Sequence, residues 1–331
     1  MLKKIIITGG CGFIGSEIIR KLLRERDYFI FNIDKKNIKG NHENIERLFD
    51  ENISYKNRYK LYNCDICEFE LLNQIIIDIK PDMIINLAAE THVDKSIDNP
   101  KLFLDSNVIG TFNLIEIIRD YLKFNARKNF KLIHISTDEV FGSLSEGGKF
   151  NENSRYQPNS PYSASKACSD HLIRAWMKTY NMPFIITNCS NNYGPWQFPE
   201  KLIPLAITKA IRKEKIPIYG NGQQIRDWLH VSDHADAIIK IAEKGLIGRS
   251  YCIGGDSEKS NLETIHLICD YLDEINPENY PHKNLITFVE DRPGHDKRYA
   301  IDSSLIKEEL NWFPKKETRD IVEDLILNEF E

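Results

Sequence analysis

Apolar residues in the first 190 positions come as short continuous runs rather than as polar–apolar alternation. KIIIT (4–8), YFIFNI (28–33), MIINLA (83–88), KLIHIS (131–136) and PFIITN (183–188) are all of strand length. Runs of this kind belong to strands of a parallel sheet covered on both faces. Between them, IGSEIIRKLLRE (14–25) and SNVIGTFNLIEIIRDYL (106–122) repeat apolar positions at helical spacing. Strand and helix in turn predict a doubly wound α/β fold with a parallel sheet. The polar stretch 37–60 is expected to be a long connection holding one helix. Beyond residue 190 the rhythm breaks up. Pro195, Pro199, Pro204 and Pro217 interrupt it, and NGQQ (221–224) signals a turn. The pattern predicts a first domain over 1–190 and a smaller α/β lobe over 191–331, interleaved with it, part of whose chain can return to the large sheet.

Composition removes several classes of function. The 331 residues are 41% hydrophobic and 28% charged, as in an ordinary globular enzyme with a sizeable core. A net charge of -5 gives no electrostatic support for nucleic-acid binding. No apolar run approaches a membrane span, so no membrane partner is expected. MLKKIIITGG runs straight into a strand and a glycine turn, which with unpaired thiols points to a cytoplasmic protein. The seven cysteines are scattered, and Cys64-x-x-Cys67 lacks a second ligand pair, so no metal site is expected.

The first chemical signal is TGGCGFIG (8–15). Gly9, Gly12 and Gly15 follow a predicted strand and open a predicted helix. The first permits a tight turn and the third lets helix pack on strand. The second lets backbone N–H groups, at Phe13 and Ile14, approach a pyrophosphate at the helix N-terminus. Asp34 ends the next strand about twenty residues on, where a carboxylate would bind a ribose diol. It would also repel a 2′-phosphate, which favours NAD over NADP; Lys35, expected beside it among the cofactor contacts, and Lys36 work the other way. Asp65, with Ile66, suits an adenine edge. Leu87, Ala88 and Ala89 are small or apolar and would let the chain pass close to the cofactor.

The second signal is STDE (136–139), a strand running into Thr137, Asp138 and Glu139. The third is YSASK, in which Tyr162 and Lys166 share a helix face at i, i+4. An ammonium beside a phenol lowers its pKa from about 10, so Tyr162 can accept a hydroxyl proton while hydride leaves for a nicotinamide.

Together with NLAAETHVDKSI, NVIGT, STDEVFG, CSNNYGPWQFPEKLIP, IRDWLHVSDHADAI and DRPGHDKRYAID, these motifs resemble the extended short-chain dehydrogenase/reductase family acting on nucleotide sugars, over nearly the whole chain. Within it the Thr-Asp-Glu set and DRPGHD are similar to the hexose 4,6-dehydratases. The resemblance implies a Rossmann-like sheet with a C-terminal substrate lobe, and a tightly held NAD recycled each turnover. It implies dTDP-glucose as substrate, with UDP-glucose as the alternative. It implies Tyr162 as the base for C4 oxidation, Thr137 bound to the C4 oxygen, Lys166 tuning Tyr162 and holding the nicotinamide ribose, Glu139 as the C5 base and Asp138 as the acid for the C6 hydroxyl. Two adjacent carboxylates serve opposite roles only if their surroundings separate their pKa values, so Asp138 is expected to be the more shielded. His92, Asn191, Glu200, Lys201, Leu202, Arg226, Asn261 and Arg292 lie in matching segments and are implied substrate contacts. Phe141 and Trp196 stand where relatives commonly have Tyr. A homodimer is implied through the helices at 106–122 and 161–178, which carry aromatic and aliphatic residues on more than one face (Phe112, Ile118, Leu172 and Trp176). The remaining alternatives are a 4-epimerase, where no Asp-Glu pair is expected, a decarboxylase with Ser for Asp138, and a silent NAD-binding protein.

Overall fold

The computed structural model describes residues 2–35, 42–125, 129–145, 147–275 and 281–316. In chain order the strands are β1 (Lys3–Thr8), β2 (Tyr28–Asp34), β3 (Tyr59–Asn63), β4 (Met83–Asn86), β5 (Lys131–Thr137), β6 (Phe184–Cys189), β7 (Asn191–Tyr193), β8 (Ile216–Tyr219), β9 (Ile225–His230), β10 (Ser250–Ile253), β11 (Glu258–Ser260) and β12 (Ile286–Val289). The helices are α1 (Phe13–Glu25), α2 (His42–Glu51), α3 (Phe69–Ile79), α4 (Val93–Asp98), α5 (Pro100–Phe103), α6 (Gly110–Phe124), α7 (Pro161–Tyr180), α8 (Leu202–Ile211), α9 (Val231–Lys244), α10 (Asn261–Ile275) and α11 (Ser304–Leu310).

The large sheet has seven strands in the order β10-β6-β5-β4-β1-β2-β3, all parallel. The continuous apolar runs supply both of its faces. Ile5, Ile7, Ile30, Ile85, Ile133 and Ile185 point into one core, under α1 and α9. Ile6, Ile33, Ile84, Leu132 and Ile186 point into the other, under α3 and α6. The alternation of neighbours between cores is the two-residue period of a strand covered on both sides. Strand order reverses beside β1, so the ends of β1 and β4 open a crevice there.

The texture change near residue 190 marks the first lobe strand, β7, but the chain does not stay in the lobe. Strand β10 pairs with β6, and Ile238, Ile241, Ile253 and Ile306 join the core of the large sheet. The lobe has its own core of Tyr193, Ile203, Ile207, Ile218, Trp228, Ile265 and Ile268, beneath the sheet β11-β9-β7 and the pair β12-β8. Two expected chain breaks are regular structure instead. Pro204 sits in the first turn of α8, where a missing N–H costs little, and Pro217 lies within β8, in a two-stranded sheet. The NGQQ segment does turn, with Gly222 at φ +71 and its N–H bonded to Tyr219 O.

Further differences are local. The helix expected at 106–122 begins as a π-turn over Leu104–Ile109 before α6. The 37–60 connection holds α2 and a 3-10 turn at Ile53–Arg58, and its end already belongs to β3; Lys36 and residues up to 41 lie outside the described residues. Among the described residues no helix is long and apolar enough to cross a membrane.

Gly15 tests the packing of α1 on the sheet. A Cβ there would lie 2.4 Å from Gly9 O and 2.8 Å from Gly10 Cα, both backbone. Gly15→Ala is expected to destabilise the fold by about 1–3 kcal/mol, read from urea denaturation; an unchanged midpoint would show that the loop yields freely.

Candidate active site

Strand β5 ends at Thr137, and the next residues form a 3-10 turn, Asp138–Phe141. Thr137 caps that turn by accepting the Glu139 N–H at 3.3 Å, and its hydroxyl donates to Asp138 Oδ1 at 3.2 Å. The two carboxylates therefore leave the sheet edge in a fixed orientation. Helix α7 brings the phenol. Its start is fixed by Pro161, by a capping box between Ser160 and Ser163, and by the Tyr162 N–H donating to Ser96 Oγ at 3.1 Å. The Tyr162 side chain is buried, with its hydroxyl near Thr137. Lys166, one turn on, is also buried and donates to Ile135 O at 2.8 Å.

The carboxylates differ in environment. Asp138 is 1% exposed, and its Oδ2 has no hydrogen-bond partner among the described residues. Burial, then the Glu139 charge beside it and Asp227, pushes its pKa well above the usual carboxylate range. Glu139 is half-buried; burial raises its pKa too, but Arg292, Arg226 and Lys201 oppose the rise. Asp138 is thus the member more inclined to hold a proton, and Glu139 the one whose charge has cationic support. Tyr162 departs from expectation. Burial and Glu139 push its phenol well above 10, and Lys166, committed to the Ile135 carbonyl, does not offset this.

The lobe supplies the cations around Glu139. Arg226 on β9 is buried, stacks 4.4 Å from the Tyr299 ring and donates to Asp296 O at 3.0 Å. Arg292 pairs with Asp94 at 3.2 Å. Lys201, at the start of α8, lies near His92, whose pKa is lowered by burial and by that ammonium. His92 itself caps α4 through the Lys95 N–H. Asn191 points a buried, unpartnered Oδ1 from β7. The remaining implied contacts are less closely joined to this cluster. Glu200 is exposed, 3.9 Å from Lys95; Leu202 packs into the lobe core; Asn261 is buried at the start of α10, its N–H bonded to Gln224 O.

The glycine loop fits a dinucleotide. Gly9 has φ +70, and a Cβ on it would lie 2.7 Å from Ala88 N, so only glycine lets β1 and β4 part this closely. Gly12 caps α1 with no side-chain hydrogen bond and no acidic residue in the first turn, leaving the N–H groups there, including those of Phe13 and Ile14, to an anion. Asp34 is buried at the end of β2, and one of its oxygens accepts the Cys11 N–H at 2.7 Å. Lys35 is held by Glu90 at 2.8 Å and Asp65 at 3.8 Å, so it presents no free cation to a 2′-phosphate. Asp65 Oδ1 accepts the Cys67 N–H, Ile66 is buried, and Leu87, Ala88 and Ala89 follow β4 at the crevice. Burial pushes the thiols of Cys64 and Cys67 up to about 12 each, and all seven cysteines are free.

Residues without an expected role also shape the site. Asn107, in the π-turn, accepts Glu90 N–H and donates to Glu90 O and Ser165 Oγ, which fixes the chain after β4 to α7. NVIGT contains it, but its two-sided bonding depends on the π-turn, which spacing does not reveal. Asp94 and Asp296 orient the lobe arginines, and Asp227 bears on Asp138.

A nucleotide crevice at a strand-order reversal, with a Thr, Tyr and Lys set beside it, defines an extended short-chain dehydrogenase/reductase. A family model described as GDP-mannose 4,6 dehydratase matches residues 6–325, and the chain belongs to that family. It is 49% identical over 323 residues to a dTDP-glucose 4,6-dehydratase of Salmonella typhimurium, covering 94% of this chain and 88% of the relative. A crystal structure of dTDP-glucose 4,6-dehydratase from Bacillus anthracis with NAD is 40% identical, with TM-score 0.85 over 98% of this chain and 96% of the other. The Streptomyces venezuelae enzyme with NAD and TYD bound gives 34% and 0.87 over 99% and 98%.

The raised Asp138 pKa carries a stability signature. The folded protein keeps a proton that the unfolded chain releases at about pH 4. Asp138's contribution is therefore intact below about pH 4 and is lost as pH rises toward its folded value. Asp138→Asn is expected to gain stability over wild type from about pH 4 upward, by as much as about 1.4 kcal/mol per pH unit. Urea midpoints from pH 4 to 8 test this; parallel curves would contradict it.

Proposed function

We propose that the chain is an NAD-dependent dTDP-glucose 4,6-dehydratase, a hydro-lyase that forms dTDP-4-keto-6-deoxyglucose and water. The observation that carries this reading is the carboxylate pair: a buried, proton-holding Asp138 beside a Glu139 faced by lobe cations. Hydride transfer alone needs neither group. Elimination of water across C5 and C6 needs both.

In this reading residues 1–190 hold the cofactor and 191–331 the nucleotide sugar, with α9, β10 and α11 returning to the large sheet. The Gly9–Gly15 loop and the N–H groups of Phe13 and Ile14 take the pyrophosphate. Asp34 takes the adenosine ribose, Asp65 and Ile66 flank the adenine, and Leu87 to Ala89 line the path to the nicotinamide. NAD, when bound, supplies the hydride acceptor for C4 and the donor for C6. Tyr162 accepts the C4 hydroxyl proton, while Thr137 holds that oxygen and Lys166 holds the nicotinamide ribose. The 4-ketone acidifies the C5 hydrogen; Glu139 removes it and gives a proton back to C5 when the hydride is returned to C6. Asp138 gives its proton to the departing C6 hydroxyl, which leaves as water. Arg226, Arg292 and Lys201 suit the diphosphate; Asn191, His92, Asn261 and the Glu200–Leu202 turn complete the substrate wall. The high intrinsic pKa of Tyr162 means that its deprotonation depends on cationic charge close to the ring, which an oxidised nicotinamide carries.

Homodimerisation is part of the reading. Leu102, Leu104, Ile109, Phe112 and Tyr180 form exposed apolar positions on α5, the π-turn, α6 and α7. Of the apolar residues noted on these helices, Phe112 is exposed, Ile118 is fully buried, and Trp176 lies edge-on to Phe112 with its indole N–H on Glu116. Seven free thiols support a reducing compartment, the cytoplasm. Light scattering at micromolar concentration is expected to give twice the chain mass; a monomer would remove the dimer.

The decisive experiment is mass spectrometry of products from dTDP-glucose and UDP-glucose, incubated separately without added NAD. Loss of one water, faster from dTDP-glucose, is expected. Faster loss from UDP-glucose would reassign the nucleobase. No loss from either, with or without NAD, would favour an epimerase, a decarboxylase or a silent binder. Asp138→Asn should keep C4 oxidation and slow water loss about 10²–10⁴-fold.

A further inference from the structure

Tyr162, Lys166 and Asp170 recur every fourth residue on one face of α7. The first two belong to the proposed chemistry; Asp170 does not. It is completely buried, and its carboxylate collects donors from three directions. Ser136 Oγ and Tyr156 OH reach Oδ2 at 2.8 Å each, and Asn188 Nδ2 reaches it at 3.3 Å. His134 Nε2 lies 3.3 Å from Oδ1, in charge contact though loosely aligned. Such bonding holds a carboxylate ionised in spite of burial, and the Asp170 pKa is lowered accordingly.

A buried carboxylate needs a balancing cation, and two groups could provide it: His134 if protonated, or Lys166. The hydrogen bonds around His134 decide between them. Ala88 N–H donates to Thr8 Oγ1 at 3.3 Å, and Thr8 donates onward to Asn86 Oδ1 at 2.6 Å. That orients the Asn86 amide so that its Nδ2 faces His134 Nδ1 at 3.0 Å. Nδ1 must then accept, which leaves the ring proton on Nε2, toward Asp170. A doubly protonated ring would set N–H against N–H at Asn86. His134 is fully buried as well, and burial, then the Lys166 charge, lowers its pKa.

Besides His134, the groups bearing electrostatically on Lys166 are Asp170, one turn on along its own helix though without a direct ion pair to it among the described residues, and the Cys189 thiol on β6. That thiol is pushed up to about 12 by burial and by Asp138, so it carries no charge at neutral pH. Arg174 reaches Asp170 only through the Tyr156 hydroxyl, at 3.0 Å. Glu139 and Asp138 bear on Tyr162 instead.

We infer that Asp170 is the counter-ion of Lys166, and that the directional chain Ala88–Thr8–Asn86–His134 keeps His134 neutral so that the Asp170 charge is left to the lysine. Asp170 is a positioning residue. Through Ser136, and through Asn188, which also donates to Thr137 O at 3.1 Å, it ties the end of β5 to the same helix face. The inference rests on the role proposed above for Lys166.

The test is the pH dependence of kcat and KM for keto-sugar formation in Asp170→Asn and Asp170→Glu. The Asn variant keeps the shape and removes the charge, so the Lys166 ammonium becomes a buried cation without an anion and releases its proton more readily. The alkaline limb of kcat is expected to move down by a pH unit or more, with KM changed less than about twofold, and the Glu variant should return the limb toward wild type. A uniform loss of kcat with the limbs unmoved would mean that Asp170 only supports the fold, and would overturn the inference. Should Asp170→Asn not fold, ¹⁵N-histidine NMR of the wild-type protein decides: a neutral, Nε2-protonated His134 from pH 5 to 9 is expected, and an imidazolium or Nδ1-protonated ring overturns it. Lys166→Met with normal C4 oxidation would instead defeat the underlying reading of the site.

Discussion

Two neighbouring carboxylates at the end of β5, one buried and one half-buried, are the constraint on which the rest of the site depends. Alone they would be expensive, since burial and mutual repulsion both disfavour their charged forms. The structure divides the difficulty. Asp138 keeps a proton, while Glu139 is faced by Arg226, Arg292 and Lys201 from the lobe. The cations are held in turn, Arg292 by Asp94 and Arg226 by the Asp296 carbonyl and the Tyr299 ring. The lobe charges therefore distinguish the two carboxylates: they oppose the rise at Glu139 more than at Asp138, which suits the base and acid roles proposed for them.

The large sheet makes that arrangement possible by ending several parallel strands at one edge. Thr8 pairs with Asn86, Asn86 with His134, and Thr137 with Cys189, so the nucleotide loop, the path after β4 and the catalytic turn all open on the same side. The register carries a second, less visible structure. The polar side chains of Thr8, Asn86 and His134 face one another across β1, β4 and β5 inside an otherwise apolar sheet and end at Asp170. A polar row of this kind specifies register more sharply than apolar contacts can, because a slip by one residue would break the bonds from Thr8 to Asn86 and from Asn86 to His134.

Fold and cofactor crevice alone do not separate a dehydratase from an epimerase. In the proposed reading the separation lies in the side chains at the end of β5, of which Asp138 is the most informative, because the acid role proposed for it has no counterpart in reversible hydride transfer.

Much of this was legible along the chain. The apolar runs located β1, β2, β4, β5 and β6 to within one or two residues, since a strand buried on both faces needs nothing beyond local composition. The glycine spacing, Asp34, the Thr137–Glu139 turn and the four-residue step from Tyr162 to Lys166 are likewise local, fixed by turn and helix geometry. Packing decided the rest. The return of β10 to the large sheet, the π-turn that aims Asn107, the burial of Ile118 and the capture of Lys35 by Glu90 and Asp65 all join distant or crowded positions that no spacing encodes. The same holds for charge. Sequence showed two carboxylates, a phenol and an ammonium; only the fold, by burying them unequally and choosing their neighbours, decided that Asp138 keeps its proton, that the Tyr162 phenol resists losing its own, and that Asp170 stands behind Lys166. Protonation follows from solvent exclusion and nearby charge, and both are properties of tertiary structure.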